Sequence, residues 1–120
     1  MIIRHANSIE KLPDGDYLFS ARRTDTIYKI SKNGEIVWRL GGKKSDFSLL
    51  NGTSFSGQHD ARCLSQNSTH MTITVLDNAM GQGFLERTND MSRGLVLSLN
   101  TEVCDSAHEA HQSLHIEDLS

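Results

Sequence analysis

The stretch FSGQHDAR, residues 55–62, sets a histidine, His59, between an amide and a carboxylate at the mouth of a predicted strand. An imidazole held on a rigid element can serve as nucleophile, base or oxyanion donor. A second histidine, His5, precedes Asn7 by two positions, and that spacing on a strand puts both side chains on one face. Arg22 and Arg23 close a neighbouring strand of the same predicted sheet. A guanidinium carries a permanent charge and forked donors, which fit a tetrahedral oxyanion such as sulfate or phosphate. His59, His5, Asn7 and Arg22 therefore suit transfer of an anionic group better than they suit oxidation. Each also has a plainer reading: a strand-end histidine is commonly a surface polar residue, and an edge arginine commonly pairs with a carboxylate.

Those residues need strands to hold them, and the sequence supplies two runs of them. NSIEKL ends at Pro13-Asp14-Gly15-Asp16, a turn in which proline presets φ and glycine supplies a positive one. YLFSAR, TIYKI and EIVWRL follow, rich in residues that favour a pleated, half-buried surface. Ser31-Lys-Asn33-Gly34 between the last two is a hairpin signal, and Asn-Gly predicts a type I′ turn. Four short antiparallel strands are the pattern of one β-propeller blade. The pattern restarts at HDARCLS, followed by MTITVLDN and RGLVLSLN, with an insertion at Gly42–Gly57 between the units. The fold expected is all-β: about two blades over residues 1–102, then a polar, His-rich, helix-patterned tail at 103–120.

Composition narrows the functional classes. The chain has 120 residues, 37% hydrophobic and 22% charged, with a net charge of −3. No basic excess marks a nucleic-acid surface, and no apolar run is long enough to span a membrane. The opening residues MIIR show no signal peptide. Cys63 and Cys104 fit no zinc or redox spacing and read as two free thiols, a disulfide being the alternative. Two sequons, at Asn51 and Asn67, lean toward a secreted glycoprotein.

Several pieces in this order resemble the arylsulfotransferase (ASST) family, in particular its branch abundant in fungi: H-x-N-S at 5–8, SAR at 20–22, IVWRLGGKKSDF at 36–47, QHDAR at 58–62 and LDNA at 76–79. The similarity runs from about His5 to Glu102. It implies a six-bladed propeller whose central channel moves a sulfuryl group from a phenolic sulfate ester to another phenol. The resemblance makes His59 of the QH pair the nucleophile, sulfated in an intermediate, with no nucleotide donor, cofactor or metal. His5, Asn7 and Arg22 would then bind the sulfuryl oxygens and the phenol oxygen. Implied partners are small phenols and aryl sulfates, in an extracellular or secretory setting.

Departures from the family pattern temper this. Arg23 stands where many relatives carry histidine. Gly57 replaces an aromatic residue, which is expected to loosen the channel wall beside His59. Earlier blades, with a further channel histidine, are missing, and the tail takes the place of a fourth strand in the second unit. The expectation is a family member inactive as a two-blade chain. The alternative is a non-catalytic module that self-associates through exposed blade edges.

Other motifs carry weaker expectations. His108, His111 and His115 fall on one face of a helix and suggest a Zn²⁺ or Ni²⁺ site, against a merely solvated face. LDNAMGQG lacks the alternating oxygen ligands of a calcium loop and reads as a turn. Gly41-Gly42-Lys43-Lys44 reads as a blade connection, and Trp38 as packing between blades.

Overall fold

The computed structural model describes residues 6–48, 54–80 and 91–102, together with the backbone of 114–118. Eight strands occur in these segments: β1 (Ala6–Lys11), β2 (Tyr17–Ala21), β3 (Thr26–Ile30), β4 (Ile36–Leu40), β5 (His59–Gln66), β6 (His70–Asp77), β7 (Arg93–Asn100) and β8 (Leu114–Asp118). They form two four-stranded antiparallel sheets in sequence order, β1-β2-β3-β4 and β5-β6-β7-β8. Each sheet is a simple meander, the form of a propeller blade, so the all-β reading of the sequence holds.

The hairpins show how local chemistry sets the meander. At both β1–β2 and β3–β4 the turn glycine, Gly15 or Gly34, has φ near +90° (+92° and +88°) and returns its N–H to Leu12 O or Ser31 O. Asn33 is not among the residues with positive φ. The turn is therefore not the expected type I′, which needs positive φ at both central residues. It is a type I turn closed by a left-handed glycine.

Strand alternation divides the side chains between two faces. In β3, Ile27 joins a large core with Leu18, Trp38 and Leu40, while Tyr28 and Ile30 join a smaller cluster on the opposite face with Ala21. The large core is shared by both sheets, since Met71, Ile73, Val75, Leu95, Leu97 and Leu99 pack into it from β6 and β7. Trp38 is 6% exposed and meets Phe47 edge-on at 5.2 Å, as expected of packing between blades. Each such buried side chain contributes about 1.5–3 kcal/mol of transfer free energy.

Edges are covered by side chains. On β5, the Ala61 and Cys63 N–H groups that face away from β6 donate to Ser8 Oγ (3.2 Å) and Glu10 Oε1 (2.7 Å) of β1. On the outer side of β4, Asp46 accepts from Arg39 N–H through Oδ2 (2.8 Å) and donates its own N–H to Arg39 O (2.8 Å). These bonds satisfy backbone groups that would otherwise template pairing with another chain. Those from β5 to β1 also dock the first sheet on the second.

The tail differs from its expected form. Residues 114–118 are a strand, pairing antiparallel with β7 in the register Leu97↔Ile116 and Ser98↔His115. The second sheet thus has a fourth strand. The reason is the unpaired outer edge of β7, whose amides and carbonyls a strand satisfies and a helix does not. His115 therefore lies in a strand, not on a helical histidine face; His108 and His111 lie outside the described residues, as do Asn51 and Cys104. The Cys63 thiol is free, and its Sγ is 3.4 Å from Ser65 O.

Candidate active site

Each sheet brings four strand ends to the same side: the starts of β1 and β3 with the ends of β2 and β4 in the first, and the starts of β5 and β7 with the ends of β6 and β8 in the second. The linker through 54–58 crosses between these ends, and most of the candidate residues gather on it. His5 lies outside the described residues.

The two inner strands are irregular where the candidates sit. In β1 the register slips between Ala6 and Ser8, which makes Asn7 the extra residue of a bulge. The simple i, i+2 alternation used to pair Asn7 with His5 does not carry across such a slip. In β5 the register slips between His59 and Arg62, and Asp60 takes a left-handed φ of +56°. A bulge adds local twist and re-aims the neighbouring side chain, here His59. Asp60 itself pairs with Arg62 at 2.7 Å on the exposed side.

Asn7, Arg22 and His59 all abut Gly57 or Gln58. Asn7 donates through Nδ2 to Gln58 O (2.7 Å), while its Oδ1 is buried without a hydrogen-bond partner among the described residues. Arg22 opens a one-turn 3₁₀ helix, Arg22–Thr24, between β2 and β3. Its Nη2 reaches Met80 Sδ at 3.6 Å, and its buried Nε has no partner among the described residues. That nitrogen would lie 3.7 Å from a Cβ placed on Gly57. His59 Nδ1 is 2.9 Å from Gly57 O. Arg23 is exposed.

Gly57 does not leave a gap. Its φ is +58°, and an added Cβ would press on Met80 Cβ at 3.3 Å, so the expected loosening of the wall is not what its surroundings show. Its backbone is tied on both sides. The N–H donates to Asp25 Oδ1 (2.9 Å), and the carbonyl accepts from Asn78 Nδ2 (2.7 Å).

Two residues matter more than their sequence context signalled. Gln58 is fully buried and points its amide into the first sheet, with Nε2 within 3.1–3.2 Å of Ser20 Oγ, Ala21 O and Thr26 O. It is the bolt that fixes His59 and its neighbours to β2 and β3. Asp77, also fully buried, accepts Ser56 N–H (3.0 Å) and Ala79 N–H (2.9 Å) on Oδ1 and pairs with Arg93 Nε (2.9 Å) on Oδ2. Arg93 in turn donates to Ser54 O at 2.9 Å. LDNA thus ends β6 and positions the linker, while residues 81–83 of the turn read there lie outside the described residues. A polar residue before a strand gives no hint of burial, because its partners lie more than 30 positions away.

At the opposite end of the sheets, an open groove of about 650 Å³ runs between β1 and β5 past Glu10, Asp14, Cys63 and Gln66. Burial alone would raise the Asp14 carboxyl. Hydrogen bonds from Asp16 N–H, Lys29 and Gln66 outweigh it and hold the group below its ordinary value. The Cys63 thiol is pushed up, first by burial and then by the Glu10 and Asp14 charges. Neither favours nucleophilic chemistry at this end.

Among known proteins, the family model described as Arylsulfotransferase (ASST) matches residues 3–118, past the expected limit at Glu102 and through β8. No curated protein and no solved structure matches the chain.

Proposed function

Because this chain belongs to the arylsulfotransferase family, we propose that the linker end of its two sheets is one side of a sulfuryl-transfer site with His59 as nucleophile. The observation that carries the reading is the convergence of Asn7, Arg22 and His59, from three separate elements, on Gly57 and Gln58. The resemblance of these stretches to the fungal branch is part of the same reading.

The chemistry follows from what each group can do. The Gly57 carbonyl can only accept, so in the tautomer that carries its proton on His59 Nδ1 that proton donates to it and Nε2 keeps a lone pair. In the first displacement Nε2 attacks sulfur of an aryl sulfate: the N–S bond forms, the S–O(aryl) bond breaks, and the phenolate leaves with the electron pair and takes a proton from solvent. In the second, an acceptor phenol loses its proton to solvent and its oxygen attacks sulfur. The N–S bond then breaks and returns the pair to Nε2. Charge is spread over the sulfuryl oxygens in both transition states, where positioned donors act most strongly. Arg22, with a buried Nε that no described residue engages, supplies that charge. Asn7 holds the segment through Gln58 O, and His5 is assigned, with Arg22, to the oxygens of the transferring group.

Two blades line one side of a channel, and on this reading the chain alone takes the first step without turning over. Self-association is the competing account. Asp46 already caps part of the β4 edge, and β5 is bonded to side chains of β1, which reduces the edge open to such pairing among the described residues. The test is intact-mass analysis after incubation with an aryl sulfate. A sulfate-sized adduct, absent in His59→Ala, is expected. No adduct, either on this chain or on a longer polypeptide carrying the full ring of blades, would end the sulfotransferase reading.

A further inference from the structure

His59 Nδ1 has two neighbours of opposite polarity. Gly57 O, at 2.9 Å, can only accept a hydrogen bond, whereas Asn78 Nδ2, at 2.6 Å, can only donate one. The amide nitrogen of Asn78, not its oxygen, faces this spot, because the same atom donates to Gly57 O at 2.7 Å and a carbonyl oxygen would be repelled there. The three atoms form a closed triangle around one ring nitrogen. A proton on Nδ1 engages Gly57 O but points a third donor into the triangle. A bare Nδ1 accepts from Asn78 but sets a lone pair against the carbonyl.

Asn78 is held in this pose. It follows Asp77, which is locked by Arg93, and precedes Ala79, whose N–H is tied back to Asp77 Oδ1 and whose φ is +56°. Ser92 Oγ contacts the Asn78 carbonyl at 3.4 Å. With the backbone anchored on both sides, the bond from Nδ2 to Gly57 O keeps the donor beside the imidazole.

We propose that Asn78 is a positioning residue that sets which nitrogen of His59 carries the proton, opposing the Gly57 carbonyl. The inference deepens the sulfuryl-transfer reading and rests on it for its functional meaning, since only the form with Nδ1 protonated leaves Nε2 free to attack sulfur. In the resting chain Asn78 holds part of the population with Nδ1 bare and Nε2 protonated, a form that cannot attack. The balance is set within the triangle, before any substrate arrives.

The test reads the ring directly. Long-range ¹H–¹⁵N correlation spectra of the labelled full chain report the ratio of the two neutral tautomers, at a pH where the ring shifts no longer move. The His59 signals are identified by their loss in His59→Gln. Asn78→Ala removes one neutral hydrogen bond to Nδ1 and is expected to move the ratio about fivefold toward the Nδ1-protonated form. Asn78→Asp, of the same shape but only accepting, moves it further the same way and serves if the alanine variant does not fold. A ratio within about twofold of the parent in the folded variants, or a shift the other way, overturns the proposal. No aryl sulfate is involved. A shifted ratio without any sulfate adduct on His59 keeps the role of Asn78 and removes the transfer reading; an adduct with an unmoved ratio does the reverse.

Discussion

Replacing Gln58 by methionine tests whether the amide, and not merely the volume, joins the two sheets. Methionine fills a similar space, so the cavity contribution is small and the change isolates the hydrogen bonds. Gln58 Nε2 has two protons and three acceptors within reach: Ser20 Oγ, Ala21 O and Thr26 O. Ala21 O keeps Thr24 Oγ1 at 3.3 Å, so Ser20 Oγ and Thr26 O are the groups left short. Losing the donors costs about 3–4 kcal/mol, at about 1–3 for each buried group left short. Against this, Gln58 Oε1 is itself buried without a partner among the described residues, and removing it returns about 1 kcal/mol. The net is a destabilisation of about 2–3 kcal/mol, a large share of the total stability of an ordinary domain. With a urea slope of about 1.5 kcal/mol per molar, the midpoint falls by about 1.5 M. Equilibrium urea unfolding followed by Trp38 fluorescence measures it. A midpoint within about 0.3 M of the parent, with the slope unchanged, would refute the claim that this amide bolts the sheets together.

Three further outcomes follow from the same geometry. Arg22→Ala should slow sulfate labelling of His59 about a hundredfold, as loss of one positioned charge does, with the urea midpoint little changed; labelling kinetics by intact mass check it. Asp77→Ala leaves Arg93 and two backbone N–H groups without their carboxylate and should cost about 3–5 kcal/mol, while adding Arg93→Met recovers part of the loss in the same unfolding assay. The Asp14 carboxyl sits below its ordinary value in the folded chain, so its stabilising effect is present above the unfolded value and fades as pH falls through the folded one. The stability gap between the parent and Asp14→Asn should therefore be widest at neutral pH and narrow as the carboxyl protonates in acid, read from urea midpoints across that range.

Much of this molecule is written locally. Alternation in TIYKI and EIVWRL, turn residues at Pro13–Asp16 and Asn33-Gly34, and the restart at HDARCLS were enough to place seven strands in two blades, because side-chain period and turn chemistry act over a few residues. The motifs around Asn7, Arg22 and His59 were legible as well, and with them the family. Local signals failed where distant partners decide. The helical spacing of the tail histidines gave way to the strand at 114–118, since the open edge of β7 is a tertiary fact. The paired facing of His5 and Asn7 met a bulge that no alternation rule contains.

The interior polar network lay wholly beyond the sequence. Gln58 and Asp77 are ordinary polar residues in a string; only the packing of one sheet on the other removes them from water and makes an unpaired donor or acceptor costly. The same packing draws Gly57, Asn78 and the His59 ring into contact. Residue types thus determined which strands form and which groups can do chemistry, because those depend on covalent structure and near neighbours. Which side chains surround the His59 ring, and which polar atoms meet its Nδ1, was decided by the tertiary fold, because hydrogen bonds across the sheets depend on positions that chain separation does not encode.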